Sequence, residues 1–563
     1  MPALTVDAQK KAAAAAIAAG DFAAALAAFR SLIPEMAENP RLWFNIAMCN
    51  RRNNSDADAR VALQRALICA PNHTAATHEL TQLTGPLTPS PKAPRALYID
   101  PCFAAAWMVR GDTSLTAGDA ANAENDFCRA AILQPARGEN WFNLSLLPVG
   151  TSDTDLSLLW LRRAITCTDG PADAYERLAA TWQQQGHADK AINLYREAIR
   201  RLPDQPDMHT NLAAALIEDD QSNAAVQQLD LALQLDPGLA RARWMRAWIN
   251  LSRAEFDRGY ADFDAHWQNP SEKSRQNLLA FPLWRGQPLD GPLLIWGENG
   301  VGDEILFASL VKEAAQRAKA PVILECEARL VDLFQRTLDG VTVIARSTPP
   351  DQRLAGTPPV AQCSSQRLPL FLRRHWADFP NHDGFLKPAA NRYSEACAAF
   401  DAMRPAPLIG ISWHSGNPRT GSRKSIPLAS LRPLFERFPA AHFISLQYAD
   451  DGTEIAALQA AGVSNLWANP NPDLVSDLDG LAAQISALDA VVTIVGVNAH
   501  MAGALGCPGF VMMQKSPLWY WFRSGVTSPW YPSLQIARED KIAGFAPAIE
   551  ATITALQEHL ARR

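Results

Sequence analysis

The sequence predicts an all-helical repeat array followed by an α/β half made of two lobes. Three observations carry this reading. The first half of the 563 residues is rich in Ala, Leu, Arg and Gln and nearly free of glycine within its segments. A 34-residue period runs through that half. After Trp267 the texture changes, and short apolar runs alternate with helical patterns, as in βαβ units. A chain this long exceeds what one core organises, so several domains are expected.

Composition narrows the functional classes. Hydrophobic residues make up 48% of the chain, which fits a folded protein. The formal net charge is −6 and no strongly basic block exists, which argues against nucleic acid as the main partner. Nine cysteines are scattered without a CxxC pair or zinc spacing, the pattern of buried reduced thiols in a cytosolic protein. The opening stretch MPALTVDAQKKAAAAAIAAG has an alanine run behind two lysines but no strong Leu/Val/Phe core. It continues into an amphipathic helical pattern, so it reads as a first helix and not as a leader. No run reaches membrane-spanning length, and the expected location is cytoplasmic.

The period shows in several registers. Ala130, Ala164, Ala198 and Ala232 stand 34 residues apart, and Pro135, Pro203 and Pro237 follow three of them at a constant offset. Ala66 and Pro71 repeat that offset. Ala25 and Phe29 match Ala59 and Leu63, and Tyr195, Leu229 and Phe263 form a further series. This pattern resembles the tetratricopeptide repeat, with small residues at helix crossings and proline at the end of each unit. Helices are expected over 1–83 and a longer array over 103–270. The proline-rich stretch 84–102, TGPLTPSPKAPRALYIDPC, cannot sit in helix interiors and predicts a loop between them. Stacked hairpins of this kind supply extended concave surfaces, so a docking surface for a protein partner is favoured over a spacer or dimerisation arm.

The α/β half is organised around 292–310, PLLIWGENGVGDEILFASL. Leu293–Trp296 is short and apolar enough for a buried parallel strand. A turn with Gly297, Gly300 and Gly302 follows, and Asp303 and Glu304 open a helical pattern. Ligands of such sheets bind beyond the carboxyl ends of the strands. Asp303 is therefore either a carboxylate capping its own helix or a catalytic base at the mouth of a cleft. Further strands are expected at Pro321–Glu325 and Val341–Ile344, with a helix at Ala328–Leu338 and a less regular segment over Ser347–Arg392. In the second lobe strands are expected at Leu408–Ser412, Ala441–Leu446, Ala490–Val495 and Gly509–Met513. Helices are expected at Leu481–Leu488 and at the C-terminus. The lobes are expected over 285–395 and 405–563, with a cleft between them.

Four motifs in this half resemble the GT-B glycosyltransferases of the heptosyltransferase-like type, in the bacterial form fused to tetratricopeptide repeats. They are GENGVGDEILFASL (297–310), ISWHSGNPRTGSRKSIPL (411–428), NAHMAGALG (498–506) and SPWYP (528–532). The resemblance implies a solenoid of repeats followed by two Rossmann-like lobes. It implies that Asp303 is the acceptor base, with Gly300, Gly302, Glu304 and Trp413 as further cleft residues. It also implies that Lys424, Arg423 and Arg419 meet the donor phosphate, and that Asn498, His500 and Gly503 belong to the turn and helix holding it. No metal or other cofactor is expected beyond a nucleotide-sugar substrate. One departure stands out. The family usually carries Asp-Thr where this chain has Val495-Gly496. Fusions of this type include flagellin glycosyltransferases that use CMP-activated nonulosonic acids, and a monophosphate donor leaves less phosphate to hold.

The expected function is therefore a protein glycosyltransferase that docks an acceptor protein, flagellin in that subgroup, on its repeats. It would transfer a sugar from a nucleotide-sugar donor to Ser or Thr. The alternative is a repeat scaffold whose α/β half is a degenerate, non-catalytic relic. Glycosyl transfer needs a base for the acceptor hydroxyl and positive charge for the departing phosphate. Asp303, Arg423, Lys424 and His500 supply those types. Trp413, Trp519, Trp521 and Trp530 are either core residues or stacking surfaces for a base or sugar.

Overall fold

The computed structural model describes residues 6–70, 73–84, 104–147, 154–265, 281–417, 421–448, 452–469, 473–515, 518–540 and 542–562. These form two compact units, Met1–Pro237 and Gly238–Arg563. The proline-rich stretch expected as a loop lies outside the described residues from 85 onward.

The first unit is built of antiparallel helix pairs. Among the described residues these are Val6–Ala18 with Phe22–Ser31, Pro40–Arg52 with Asp56–Cys69, and Ala104–Thr116 with Ala120–Leu133. Gly138–Ser145 with Thr154–Thr166, Ala172–Gln184 with Ala188–Arg201, and Pro206–Glu218 with Ser222–Leu235 continue the series. The periodic alanines mark where helices cross: Ala130, Ala164, Ala198 and Ala232 have no exposed surface. A left-handed residue ends the first helix of several pairs, glycine at Gly20, Gly118 and Gly186, and Asn54 or Asp220 elsewhere. The proline-bearing turns between pairs are tied down by the next helix. The indole of Trp141 donates to the Pro135 carbonyl at 2.9 Å, and the Tyr175 hydroxyl donates to the Ile165 carbonyl at 3.2 Å. Small crossing residues, left-handed turns and capped carbonyls together explain why the sequence repeats with this period.

The second unit opens with one more hairpin, Ala240–Ser252 and Phe256–Phe263. Its sequence keeps the repeat register, yet it shares the core of the α/β half: Leu251, Phe256, Tyr260 and Phe263 pack in one cluster with Leu293, Ile295 and Phe307. Tyr260 donates to the Arg373 carbonyl at 3.0 Å, and Arg367 grips Asp264 through two nitrogens at 2.8 and 2.6 Å.

Two parallel sheets follow. The first contains β1 (Leu293–Trp296), β2 (Val322–Cys326), β3 (Val341–Ala345) and β4 (Ala361–Ser364), in the order β3-β2-β1-β4. The second contains β5 (Leu408–Ser412), β6 (His442–Ser445), β7 (Leu466–Trp467), β8 (Ala490–Ile494), β9 (Gly509–Met513) and β10 (Leu534–Arg538), in the order β10-β9-β8-β5-β6-β7. All their pairings are parallel. Strands β1, β2, β5, β8 and β9 are buried along their whole length, as strands covered on both faces must be. The closing helix Ala546–Ala561 covers the second sheet through Ile549, Ile553 and Leu556.

Strand order fixes where loops can form a site. In the first sheet the direction of winding reverses between β1 and β4, and in the second between β5 and β8. The segments leaving β1, β5 and β8 therefore diverge at switch points, where side chains can reach a ligand. These are the segments that carry Asp303, Lys424 and His500. Elsewhere the lobes are pinned by Arg336, whose guanidinium holds Asp479 at 2.9 and 2.8 Å, and by Arg329, which donates to the Val475 carbonyl at 2.6 Å.

Candidate active site

Helix Val301–Ala308 begins directly after the glycine turn that leaves β1. Asp303 lies in its first turn, half-buried. Its Oδ2 accepts from the Gly300 N–H at 3.4 Å, a long contact, so the carboxylate does cap its own helix. Its Oδ1 accepts from the Tyr520 hydroxyl at 2.6 Å, and Tyr520 belongs to the other lobe. Burial pushes the Asp303 carboxyl above its ordinary range, while the Tyr520 hydroxyl, the Gly300 N–H and the positive charge of Lys424 act against that rise.

Lys424 ends the short helix Gly421–Lys424 beyond β5. The chain is folded back there by two hydrogen bonds, Ile426 N–H to the Trp413 carbonyl at 2.9 Å and Ser415 N–H to Ser425 Oγ at 3.0 Å. Partial burial lowers the Lys424 ammonium below its usual range, and the charge of Asp303 raises it again. Arg423, beside it, is exposed, and Arg419 lies outside the described residues.

His500 sits in the first turns of helix Val497–Ala504, which follows β8. It is enclosed by the rings of Trp521, Tyr520 and Tyr531 at 5.1, 5.8 and 5.8 Å, and its Nδ1 pairs with the Tyr531 hydroxyl at 3.1 Å. Burial, helped by the nearby charge of Lys424, drives its pKa down to about 3, so the imidazole is neutral near pH 7. Gly302 lets the two helices meet, because a Cβ there would stand 2.7 Å from the imidazole. Lys424 thus acts electrostatically on both Asp303 and His500, and Gly302 gives the imidazole room beside helix Val301–Ala308.

Other sequence candidates have different work. Glu304 faces away from the group. Its Oε2 accepts from the Glu327 N–H at 2.7 Å and its carboxylate is ion-paired with Arg346 at the end of β3. Asn498 donates to the Leu446 carbonyl at 3.0 Å and ties its helix to β6. Gly503 makes room for the ring of Tyr531, since a Cβ would come within 2.6 Å of its Cδ1. Trp413 is fully buried and donates to Glu454 at 2.8 Å. Trp519, Trp521 and Trp530 are buried too, so these indoles are core and not open stacking surfaces. Two residues that touch the site, Tyr520 and Tyr531, are absent from the sequence candidates. The aromatic density of LWYW (518–521) and SPWYP (528–532) was the available signal. Among the described residues, no group of three or more His, Cys, Asp or Glu side chains is arranged to hold a metal ion. None of the described cysteines forms a disulfide, and no described helix is long and apolar enough to cross a membrane.

The class of molecule that results is an array of helical-repeat hairpins followed by an α/β unit built on two parallel sheets. The tetratricopeptide repeat family model matches residues 16–83 and 183–249. Protein FlbA of Caulobacter vibrioides is 28% identical over 422 residues, which cover 71% of this chain and 70% of that protein. Among solved structures, ADP-heptose LPS heptosyltransferase II of E. coli is similar over 48% of this chain and 98% of its own, at 17% identity and a TM-score of 0.37. A glycosyl transferase family 9 protein of Veillonella parvula is similar over 50% of this chain and 100% of its own, at 10% identity and a TM-score of 0.37.

Proposed function

We propose that this chain is a protein glycosyltransferase that docks an acceptor protein on its repeats and transfers a sugar from a nucleotide-sugar donor to a Ser or Thr hydroxyl. The observation that carries this reading is the meeting of segments that leave β1 and β8: the Tyr520 hydroxyl of the second lobe holds Asp303 at 2.6 Å, a Cβ on Gly302 would stand 2.7 Å from His500, and the charge of Lys424 acts on both Asp303 and His500. Asp303 takes the acceptor proton. Lys424, with Arg423 and Arg419 on the same loop, meets the charge on the departing phosphate. Burial in a site of low polarity strengthens both effects. The repeat half supplies the acceptor, as extended repeat surfaces do for protein partners.

The finer reading takes flagellin as acceptor and a CMP-activated nonulosonic acid as donor, with transfer in the cytoplasm. It rests on the loop motifs and on Gly496, where a Cβ would meet no atom within 4 Å, so this part of the donor side is open. Intact mass spectrometry of flagellin from cells with and without this chain tests it. A mass increment that depends on the chain is expected, and it should vanish with Asp303→Asn. Unchanged flagellin mass, together with no thermal shift on adding CMP, would leave the α/β half as a scaffold.

A further inference from the structure

The carboxylate of Asp303 is held from the opposite lobe. Tyr520, in the turn Trp519–Trp521 of the second lobe, donates its hydroxyl to Oδ1 at 2.6 Å. The tyrosine is itself buried and cannot swing aside freely: its ring packs edge-on against Phe307 at 5.8 Å and Trp519 at 5.6 Å, and near His500 at 5.8 Å. Oδ2 accepts the long contact from the Gly300 N–H at 3.4 Å. The two oxygens of one carboxylate are thus inequivalent. Oδ1 accepts a short hydrogen bond and Oδ2 a long one.

We infer that Tyr520 is the positioning residue of the base: it fixes Oδ1, presents Oδ2 to the acceptor hydroxyl, and does so only when the two lobes are together. This rests on the reading of Asp303 as acceptor base. In the step, the acceptor oxygen forms a bond to the anomeric carbon as its proton passes to Asp303 Oδ2. The bond from that carbon to the donor phosphate oxygen breaks, and the phosphate leaves with the electron pair. Tyr520 keeps its proton throughout, since burial and the adjoining carboxylate both hold its hydroxyl far above the ordinary phenol range. The other titratable groups whose charge interacts with Asp303 are Lys424, which favours its charged form, and Tyr531; His500 in turn feels Lys424.

A positioning role differs from a packing role in what it moves. Tyr520→Phe keeps the ring and its contacts and removes the donor to Oδ1. The transfer rate at saturation should fall roughly tenfold with little change in acceptor KM, because the lost bond orients the base in the reacting complex. The acidic limb of the pH–rate profile should move to higher pH, since a hydrogen bond to the charged form is gone. The ligand-free protein gives a second readout: in ¹³C-carboxyl-aspartate spectra, the resonance absent from Asp303→Asn should titrate at higher pH in Tyr520→Phe. Should Tyr520→Phe melt below the assay temperature, 3-fluorotyrosine at position 520 offers a more acidic donor and should move both titrations to lower pH.

The assay uses the full chain with flagellin and a CMP-activated nonulosonic acid, and the NMR titration needs neither. Loss of transfer in Asp303→Asn with parental rate, pH limb and carboxyl titration in Tyr520→Phe would overturn this inference alone. Parental transfer in Asp303→Asn would overturn the reading it rests on as well.

Discussion

Gly302 and His500 approach so closely that a single methyl group has no place between them: a Cβ on Gly302 would lie 2.7 Å from imidazole Cδ2. The two residues belong to different lobes, and their contact brings the start of helix Val301–Ala308 against the start of helix Val497–Ala504. Gly302→Ala must push the buried imidazole or separate the helices. Overpacking of this kind costs about 1–3 kcal/mol. The expected outcome is a lower melting temperature together with transfer reduced more than donor affinity, read by calorimetry and a transfer assay on the same preparation.

Asp303→Asn separates capping from catalysis. Asn caps helices about as well as Asp, so the variant should melt near the parental temperature. It lacks the proton acceptor, so transfer should fall roughly a hundredfold or more. Glu304 cannot replace it, because its carboxylate is committed to Arg346 and the Glu327 N–H. Parental activity would return Asp303 to a helix-capping role.

Lys424→Ala should weaken donor binding by about 1.5–3 kcal/mol, the range for a charge-assisted contact to phosphate. Acceptor affinity should not change. Titration calorimetry with CMP checks the first statement and a pull-down of the acceptor the second. An unchanged nucleotide affinity would remove Lys424 from the donor side.

His500 predicts a pH dependence of stability. Its pKa is about 3 in the fold and about 6.5 in an unfolded chain. Between these values the unfolded state binds the proton and the native state does not. The contribution of the neutral imidazole is thus fully present above pH 6.5 and is lost as pH falls toward 3, at up to about 1.4 kcal/mol per pH unit. Denaturant unfolding from pH 7 to pH 4 should show this slope, and His500→Gln should flatten it. Equal slopes in both proteins would mean that other groups set the acid limit.

Arg346→Met should cost about 2–3 kcal/mol. It strands the buried Glu304 carboxylate, although the arginine is itself partly exposed and the full penalty for a buried pair is not expected. Removing both charges with Glu304→Gln and Arg346→Met should recover much of the loss, and the double-mutant cycle measures the coupling.

How much of this was legible in the sequence depends on what each feature rests on. The 34-residue register and the strands β1, β5 and β9 are written in local pattern, and their limits agree with the structure to the residue for these three strands. Strands β4 (AQCS), β7 (two residues) and β10 (LQIAR) were missed, because short strands with polar positions carry no periodic signal. The last hairpin keeps the repeat pattern, but its membership of the second unit depends on long-range packing that no register records. Asp303 stands out as a candidate because it follows a glycine turn, whereas Lys424 and His500 are candidates through the resemblance of the motifs that carry them. Tyr520 lies 217 residues from the aspartate it touches, amid tryptophans of similar hydrophobicity, so nothing local distinguished it. Asn498 and Gly503 looked like ligand residues for the converse reason. Their types suit a phosphate turn, and the partners they have in this structure, the Leu446 carbonyl and the Tyr531 ring, become neighbours only on folding, so the sequence could not show them.

The dipeptide Val495-Gly496 joins two positions of opposite tolerance. Gly496 stands in extended backbone where an added Cβ would meet no atom within 4 Å. Val495 is 2% exposed and belongs to the main core of this half. An aspartate at that position would be an ionised or proton-carrying group surrounded by hydrocarbon, and Val495→Asp should destabilise the fold. Polar substitution is therefore tolerated at Gly496 and resisted at Val495. The turn offers one adjustable position beside a fixed one, so variation in its chemistry is channelled through the glycine.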